Sequence, residues 1–366
     1  LSAARRPRRP RRGRRHGSAA DPGDLPLHPP STGASIDKAA AQYGSSFVSS
    51  GNVAGFDKLD QLEVAIVGLV RNCAKTVRKD VLRLKKATSK FKAVHFLLIE
   101  SDSTDNTQSI LEALSHEIQH FRSISLGDLT SKHPKRTERI AICRNAYIDE
   151  IQSNPGYAHI SYVLVADMDG VNTAINENYL LTCWKPGLPE WDACMANQSG
   201  AYYDIWALRH PDWCPNDCLI LYRKLIPLLG EAQALELAVH SKMVRLKTDH
   251  DLIQVESAFG GLGIYKREAL LSGRYIGLTE SGEEICEHVS FHELLRNAGY
   301  KIYINPGMIN AAITEHSSRK GALAKFKVNV LCQTPRFINR LLLFFLNDEG
   351  KVKRCKQILR RTIFLD

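Results

Sequence analysis

The sequence predicts an α/β protein built on a mainly parallel sheet. Short runs rich in Val, Ile and Leu recur through the first half, and segments of helical periodicity separate them. The runs are apolar at consecutive positions, the pattern of strands covered on both faces. No apolar run approaches the roughly 18–20 residues of a membrane span.

The elements follow in order. "LEVAIVGLV" (62–70) reads as a buried parallel strand. "TVRKDVLRLKKATSKF" (76–91) is a basic helix with Val77, Val81, Leu82 and Leu84 as its apolar positions. "AVHFLLIE" (93–100) is a second strand. "DNTQSILEALSHEI" (105–118) is a helix, with Asp105 near its N-terminus, where a carboxylate is favoured. "RTERIAICRNAYIDEIQ" (136–152) is a third helix, and "YVLVADMDG" (162–170) a third strand. The second half is more mixed. Residues 191–210 carry strand-like pieces. Residues 257–273 run from a glycine-rich turn into a short helix. Residues 287–307 give a helix, a stop at Gly299 and a strand. No internal repeat is visible.

Both ends differ from this body. Residues 1–45 are rich in Arg, Pro, Gly, Ser and Ala without periodicity, which predicts a disordered tail. Residues 46–317 form the predicted α/β domain. Residues 318–366 mix apolar clusters with cations, the character of a surface-lying amphipathic helix or of a basic helix packed on the domain.

The net charge of +10 is unevenly spread. Residues 1–17 hold eight arginines and no acid, and 318–366 hold twelve Lys/Arg against three Asp/Glu. The middle, 18–317, holds 29 basic and 36 acidic residues, the opposite of a body that binds nucleic acid. No nucleic-acid partner is therefore expected. The nine cysteines are odd in number and irregularly spaced, which argues against a disulfide framework. Cys214 and Cys218 form half of a zinc spacing, but no second cluster completes it.

Asp167 and Asp169 end the strand "YVLVA". Ligands collect at the carboxyl ends of parallel strands, and residues i and i+2 of an extended segment point to one side. Two carboxylates aimed together suit a divalent cation with a taste for hard oxygen ligands, Mn²⁺ or Mg²⁺. Asp-rich turns are also common after strands, so the pair needs company before it means chemistry.

The company is present. "IESDSTDNTQSIL" (99–111) resembles the "DDGSTDNT" signature of the family-2 nucleotide-sugar glycosyltransferases, which have the GT-A fold. "GLVRNCA" (68–74) looks like the start of that fold's nucleotide-binding half. "RIAICRNAYIDE" (139–150) is similar to its "ARN" helix. "EHVSFHELLRNAGYKIYINPG" (287–307) resembles "EDxxLxxRLRxAGYRIxYxP" without a gap, and "TEH" (314–316) lies where many such enzymes have a last metal-binding histidine. The five pieces stand in order over about residues 62–316. A finer resemblance, through "GAYYDIWALRHPD" (200–212) and "CEHVSFH", is to the fungal capsule-associated α-1,3-mannosyltransferase group and its bacterial relatives.

The resemblance implies a GT-A, Rossmann-like sheet flanked by helices and a metal-dependent hexosyltransferase. The donor would be a GDP- or UDP-sugar and the acceptor a glycan or glycolipid, in cell-surface polysaccharide synthesis. It implies that Asp169 ligates the metal, that Asp167 contacts the ribose or the metal, and that His316 completes the site. Glu100 stands for the family's first aspartate, which faces the base or ribose. Ser101 and Asp102 replace Asp and Gly, so the nucleotide preference does not carry over. Arg71 and Arg144 are candidates for the nucleotide and phosphates. Gly260 and Gly261 in "FGGLG" are candidates for a close backbone approach to the donor, or for a tight turn.

Glu287 and His288 replace the Glu-Asp of inverting members. Histidine is a competent base near neutral pH, Glu287 is another candidate, and a retaining enzyme would need no base there. His288 and His292 share a helix face, a pair without a third metal ligand at suitable spacing. Tyr202, Tyr203, Asp204 and Trp206 are candidates for the acceptor, since aromatic faces stack on sugars and carboxylates bind hydroxyls. A buried aromatic strand would account for some of the same residues.

The basic C-terminal segment suggests peripheral contact with an anionic membrane from the cytoplasmic side, or a Golgi lumenal enzyme if an anchor precedes Leu1. Two rival readings are a sugar nucleotidyltransferase, whose glycine-rich loop "GLVRNCAKT" lacks, and a non-catalytic glycan-binding protein.

Overall fold

The computed structural model describes residues 56–312. The expectations for residues 1–45, for 318–366 and for His316 lie outside the described residues.

Eight strands form one sheet: β1 (Glu63–Val70), β2 (Ala93–Glu100), β3 (Phe121–Ser125), β4 (Ile160–Ala166), β5 (Ala193–Gln198), β6 (Ile253–Gln254), β7 (Leu262–Lys266) and β8 (Ile302–Ala311). Their order across the sheet is β3-β2-β1-β4-β7-β5-β8-β6. β3, β2, β1 and β4 are parallel, as are β5 and β8, while β7 and β6 run antiparallel to their neighbours. The predicted mainly parallel α/β sheet is what the chain forms.

The consecutive apolar runs have a direct cause. Val64 and Ile66 of β1 face one core, with Phe96, Leu98 and Leu164, whereas Ala65 and Val67 face the other, with Leu97, Ile99 and Val163. Helices cover both faces. Helix α1 (Val77–Ala87) and α2 (Thr107–Glu117) pack on the first core through Val77, Val81, Leu84, Leu111 and Leu114. Helix α3 (Arg136–Ser153) packs on the second through Ala141, Tyr147 and Ile151. A one-turn α4 (Glu177–Leu180) follows β4, and α5 (Cys218–Leu229) and α6 (Glu231–Ala238) form a helical pair with its own small core. Helix α7 (Arg267–Leu271) follows β7, and α8 (Glu287–Asn297) joins the second core through Phe291 and Leu295.

Several elements depart from the sequence expectation, the short β6 and α4 among them. Edge strand β3, "FRSIS", buries only Phe121 and so carries little apolar signal. The glycine-rich stretch near 260 leads first into β7, a fully buried strand in the middle of the sheet, and only then into the short helix. Helices α5 and α6 also arise where no element was expected, although Asp217 caps α5 by accepting from the Leu219 and Ile220 amides. Within 191–210 only β5 is a strand, and 200–212 is irregular.

The described cysteines are free thiols, most of them buried. No described helix is long and apolar enough to cross a membrane.

Candidate active site

The topology selects the location. β2 and β3 lie on one side of β1 and β4 on the other, so successive connections leave β1 in opposite directions. Such a switch point opens a crevice beyond the carboxyl ends of the strands. A cleft of about 410 Å³ lies there. Arg71 and Cys73 after β1, Ser101 and Asp102 after β2, and Asp167 to Asp169 after β4 all line it. Helix α3 contributes Arg136, Arg139 and Arg144, the 204–207 segment contributes Asp204 and Trp206, and Phe259, Glu287 and His288 close the wall.

The loops after β1 and β2 are stitched to each other. Asn72 and Asp102 adopt left-handed backbone, with φ of 54° and 56°. Asn72 Oδ1 accepts from the Thr104 amide at 2.8 Å, and Asp105 accepts from the Ala74 and Thr107 amides. Asp102 Oδ1 accepts from the Leu129 and Thr130 amides at 3.0 and 2.8 Å, while its Oδ2 has no protein partner. Burial pushes the Asp102 carboxyl up, but its bonds with Thr130 and Ser101 and the Arg71 charge outweigh that and hold it down at about 2.

Glu100 sits differently. It is 1 % exposed and turned into the protein. Its oxygens accept from the Ser103 amide at 2.9 Å, from Gln108 Nε2 at 2.9 Å and from Ser125 Oγ. Burial alone would raise its pKa, but those bonds outweigh it and leave the group below the usual carboxylate range. In this arrangement Glu100 ties the β2 loop to β3 and α2.

Asp167 and Asp169 flank the cleft while Met168 between them points into the core, 1 % exposed. Asp167 is enclosed yet keeps 37 % of its side chain open to the cleft. Burial raises its pKa; Arg144 opposes, and Asp169, Asp204 and Glu287 add to the rise, which reaches about 7. The turn beyond is pinned from below. The Gly170 amide donates to Asp80 Oδ2 at 2.8 Å, and Thr76 Oγ1 donates to the Met168 carbonyl at 3.0 Å. Asp80 is itself buried on the apolar stripe of α1, with a pKa pushed to about 6 by that burial.

The opposite wall is an ionic chain. Arg144, 4 % exposed, donates from Nε to Glu287 Oε1 at 3.1 Å and has a terminal nitrogen 3.7 Å from Asp167 Oδ1. Its guanidinium lies 5.2 Å from the Phe259 ring centre and 5.4 Å from that of Tyr275. His288 stacks on Phe259 with ring centres 3.8 Å apart, and neither ring nitrogen has a hydrogen-bond partner. Burial, then the charges of Arg144 and His292, hold it well below the ordinary histidine value, so the ring is neutral. His292 is occupied elsewhere: Nδ1 meets Ser257 Oγ at 2.9 Å and Nε2 meets Tyr265 OH at 2.8 Å. That explains why the His288–His292 pair makes no metal site.

Asp204 Oδ2 accepts from the Gly260 amide at 3.0 Å, and Oδ1 from the Ala207 amide at 3.4 Å. Burial raises its pKa against those bonds. Trp206 donates its indole N–H to Asp217 at 3.1 Å and leaves its ring on the cleft. Tyr202 is fully buried, with its hydroxyl accepting from the Phe259 amide, and Tyr203 packs against Gly261. Gly260 and Gly261 take φ of 73° and 87° behind Phe259; a Cβ on Gly261 would meet Val171 Cγ1 at 2.8 Å. Glycine is needed there for the turn and its packing.

Sequence reasoning missed Asp80, Arg136, Arg139 and a set of buried amides behind the glycine turn. Asp80 left a signal: a carboxylate three residues after Val77 and one before Val81, on the stripe that packs inward. Arg71, Arg136 and Arg139 bring three more cations to the cleft; Arg71 acts on Asp102, and Arg139 donates to the His133 and Pro134 carbonyls at 2.6 and 2.8 Å.

Among the described residues no group of three or more His, Cys, Asp and Glu side chains is gathered to hold a metal ion. Asp167 and Asp169 nevertheless fit a Mg²⁺-like cation, which takes one or two carboxylates and completes its shell with water and substrate phosphates. Burial raises Asp167 most, and the Asp169 repulsion that adds to the rise is what a cation would relieve.

No family model and no curated protein matches the chain. Among solved structures, the mannosyltransferase PcManGT from Pyrobaculum calidifontis in complex with GDP-Man and Mn²⁺ is 14 % identical, covers 82 % of this chain and 70 % of its own, and has a TM-score of 0.36. S. aureus TarS is 12 % identical over 80 % of this chain and 83 % of its own, with a TM-score of 0.38. Mannosyl-3-phosphoglycerate synthase from Rubrobacter xylanophilus is 16 % identical over 76 % and 75 %, with a TM-score of 0.37. Identity this low and TM-scores below 0.5 leave the functional reading to the residues themselves.

Proposed function

We propose that the cleft binds a nucleoside-diphosphate sugar with Mn²⁺ or Mg²⁺ and transfers its hexose to a hydroxyl of a glycan or glycolipid. The observation that carries this reading is the meeting of Asp167, Asp169 and Asp102 with Arg71, Arg136 and Arg139 in one cleft at the sheet's switch point. The motif resemblance over 62–316 supports the GT-A assignment, and the 200–212 segment supports mannose as the hexose.

The roles follow from chemistry. Departure of a diphosphate builds negative charge on its oxygens. A divalent cation held there would supply Lewis-acid stabilisation of that charge. Asp167 and Asp169 would hold it, with His316 a further candidate outside the described residues. Arg71, Arg136 and Arg139 add cationic donors suited to phosphate oxygens. Asp102 lines the nucleotide end of the cleft and braces its loop by accepting from the Leu129 and Thr130 amides. Asp204 and Trp206, with Tyr203 behind them, form the acceptor side. Glu287, oriented by Arg144, would present its carboxyl group to the reacting sugar. His288, kept neutral, offers a hydrogen bond, and a proton acceptor only when the cleft rearranges around a substrate.

Incubation with a panel of GDP- and UDP-sugars and Mn²⁺ tests the reading. It expects release of the nucleoside diphosphate with one donor class, dependent on metal and lost in Asp169→Asn. Release of pyrophosphate would support a nucleotidyltransferase instead, and no turnover with any donor would support a binding protein. Contact of residues 318–366 with anionic membranes is a separate part of the proposal, and deletion of that segment without change in vesicle binding would remove it.

A further inference from the structure

Three buried amide side chains sit behind the glycine turn, on three different segments. Asn310 of β8 and Asn172 are fully buried, and Gln198 at the end of β5 is 1 % exposed. Asn310 Nδ2 donates to the Gly260 carbonyl at 2.7 Å and to Asn172 Oδ1 at 2.9 Å. Gln198 Nε2 donates to Asn310 Oδ1 at 3.1 Å and to the Gly260 carbonyl at 3.2 Å. Asn172 Nδ2 donates to the Asp167 carbonyl at 2.8 Å and to the Gly261 carbonyl at 3.1 Å. The amide orientations are fixed by chemistry: each NH₂ faces backbone carbonyls, which only accept.

The network connects two ends of the cleft. At one end it grips the Asp167 backbone, whose amide also donates to the Gly261 carbonyl at 3.0 Å. At the other it holds Gly260, whose amide donates to Asp204. A fully satisfied polar network in a low-dielectric interior is stiff, since every rearrangement strands a donor or acceptor. Position matters steeply here, because a displacement of about 1 Å at a reacting centre costs on the order of 10²-fold in rate.

We propose that Asn310, Asn172 and Gln198 form a positioning unit that locks the Gly260–Gly261 turn to the Asp167 backbone and so fixes the metal-side carboxylate relative to Asp204 on the acceptor side. The proposal rests on the metal-site reading of Asp167. None of the three side chains lines the cleft; they act through the turn.

A neighbouring amide supplies the control. Asn197, also fully buried, donates to the Pro306 carbonyl at 3.0 Å and takes no part in the network. The experiment measures Mn²⁺ affinity by electron paramagnetic resonance in the presence of GDP or UDP, and the melting temperature of the full chain, for wild type, Asn310→Ala, Gln198→Ala and Asn197→Ala. Asn310→Ala and Asn197→Ala are both expected to lower the melting temperature, Asn310→Ala more because it strands more partners. Only Asn310→Ala should weaken Mn²⁺ binding about tenfold or more, with Gln198→Ala about threefold, and kcat should fall more than KM changes. Wild-type protein that binds no Mn²⁺ would overturn the reading of the cleft and this proposal with it. Wild type that binds, with Asn310→Ala and Gln198→Ala binding as tightly as Asn197→Ala, would overturn this proposal alone. If Asn310→Ala does not fold, unchanged affinity in Gln198→Ala has the same force.

Discussion

Arg144 donates from Nε to Glu287 Oε1 at 3.1 Å, joining two helices 143 residues apart in the chain. Both side chains are almost wholly buried, at 5 % and 8 % exposure. Removing one partner strands the other charge, which costs about 3–5 kcal/mol in such pairs. Arg144→Met should therefore destabilise the protein by about that amount, read from urea midpoints. Arg144→Met with Glu287→Leu should recover most of the stability while activity stays lost, because the two sites are in contact and do not add. Additive losses in the double variant would contradict a direct pair.

Asp169 is exposed at the cleft, and its carboxylate makes one bond within its own turn, from the Val171 amide. Asp169→Asn should leave stability within about 0.5 kcal/mol, as for other surface changes, and lower metal-dependent turnover by on the order of 10²-fold. Steady-state rates at saturating donor, together with a melting curve, read both effects. A large loss of stability with turnover kept would point to a structural carboxylate.

His292 gives a pH signature in stability. Burial, with the Arg296 and Arg144 charges, lowers it from 6.5 to about 3, so the folded ring stays neutral where the unfolded one takes a proton. Between those values the unfolded state binds more protons, and stability rises with pH until it levels above 6.5. The stability gap between wild type and His292→Phe should therefore be larger at pH 7.5 than at pH 4.5. An equal gap at both would mean that the buried ring does not carry the effect.

Gly261→Ala meets two obstacles, a φ of +87° and Val171 Cγ1 at 2.8 Å from the new Cβ, whereas Gly127 at φ +66° has open space around it. Gly127→Ala should cost about 1–2 kcal/mol for the left-handed backbone. Gly261→Ala should add about 1–3 kcal/mol of crowding, read as the difference between the two denaturation curves. Equal costs would show that the turn has room to relax.

The strands β1, β2 and β4, the helices that alternate with them and the carboxylate pair at the β4 tip were legible because each leaves a local mark: consecutive β-branched residues, a 3.6-residue period, two acids at i and i+2. β7 was hidden because glycines interrupt its pattern and its partners lie far off in sequence. The role of Arg144 was also illegible. Its carboxylate partner is 143 residues away, and only the packing of α3 on α8 brings them together. The three inward hydrogen bonds of Glu100 were not legible either, because they come from residues whose approach depends on the loop's fold. The amides of Asn172, Gln198 and Asn310 lie on apolar or turn-like stretches with no spacing between them to notice.

The most direct test of the account is an equilibrium titration of Mn²⁺ in the presence of GDP or UDP, with wild type and an Asp167→Asn/Asp169→Asn variant. The account predicts one Mn²⁺ per chain, nucleotide binding that tightens with the metal, and loss of both in the variant. Nucleotide bound equally well without metal and by the variant would contradict it.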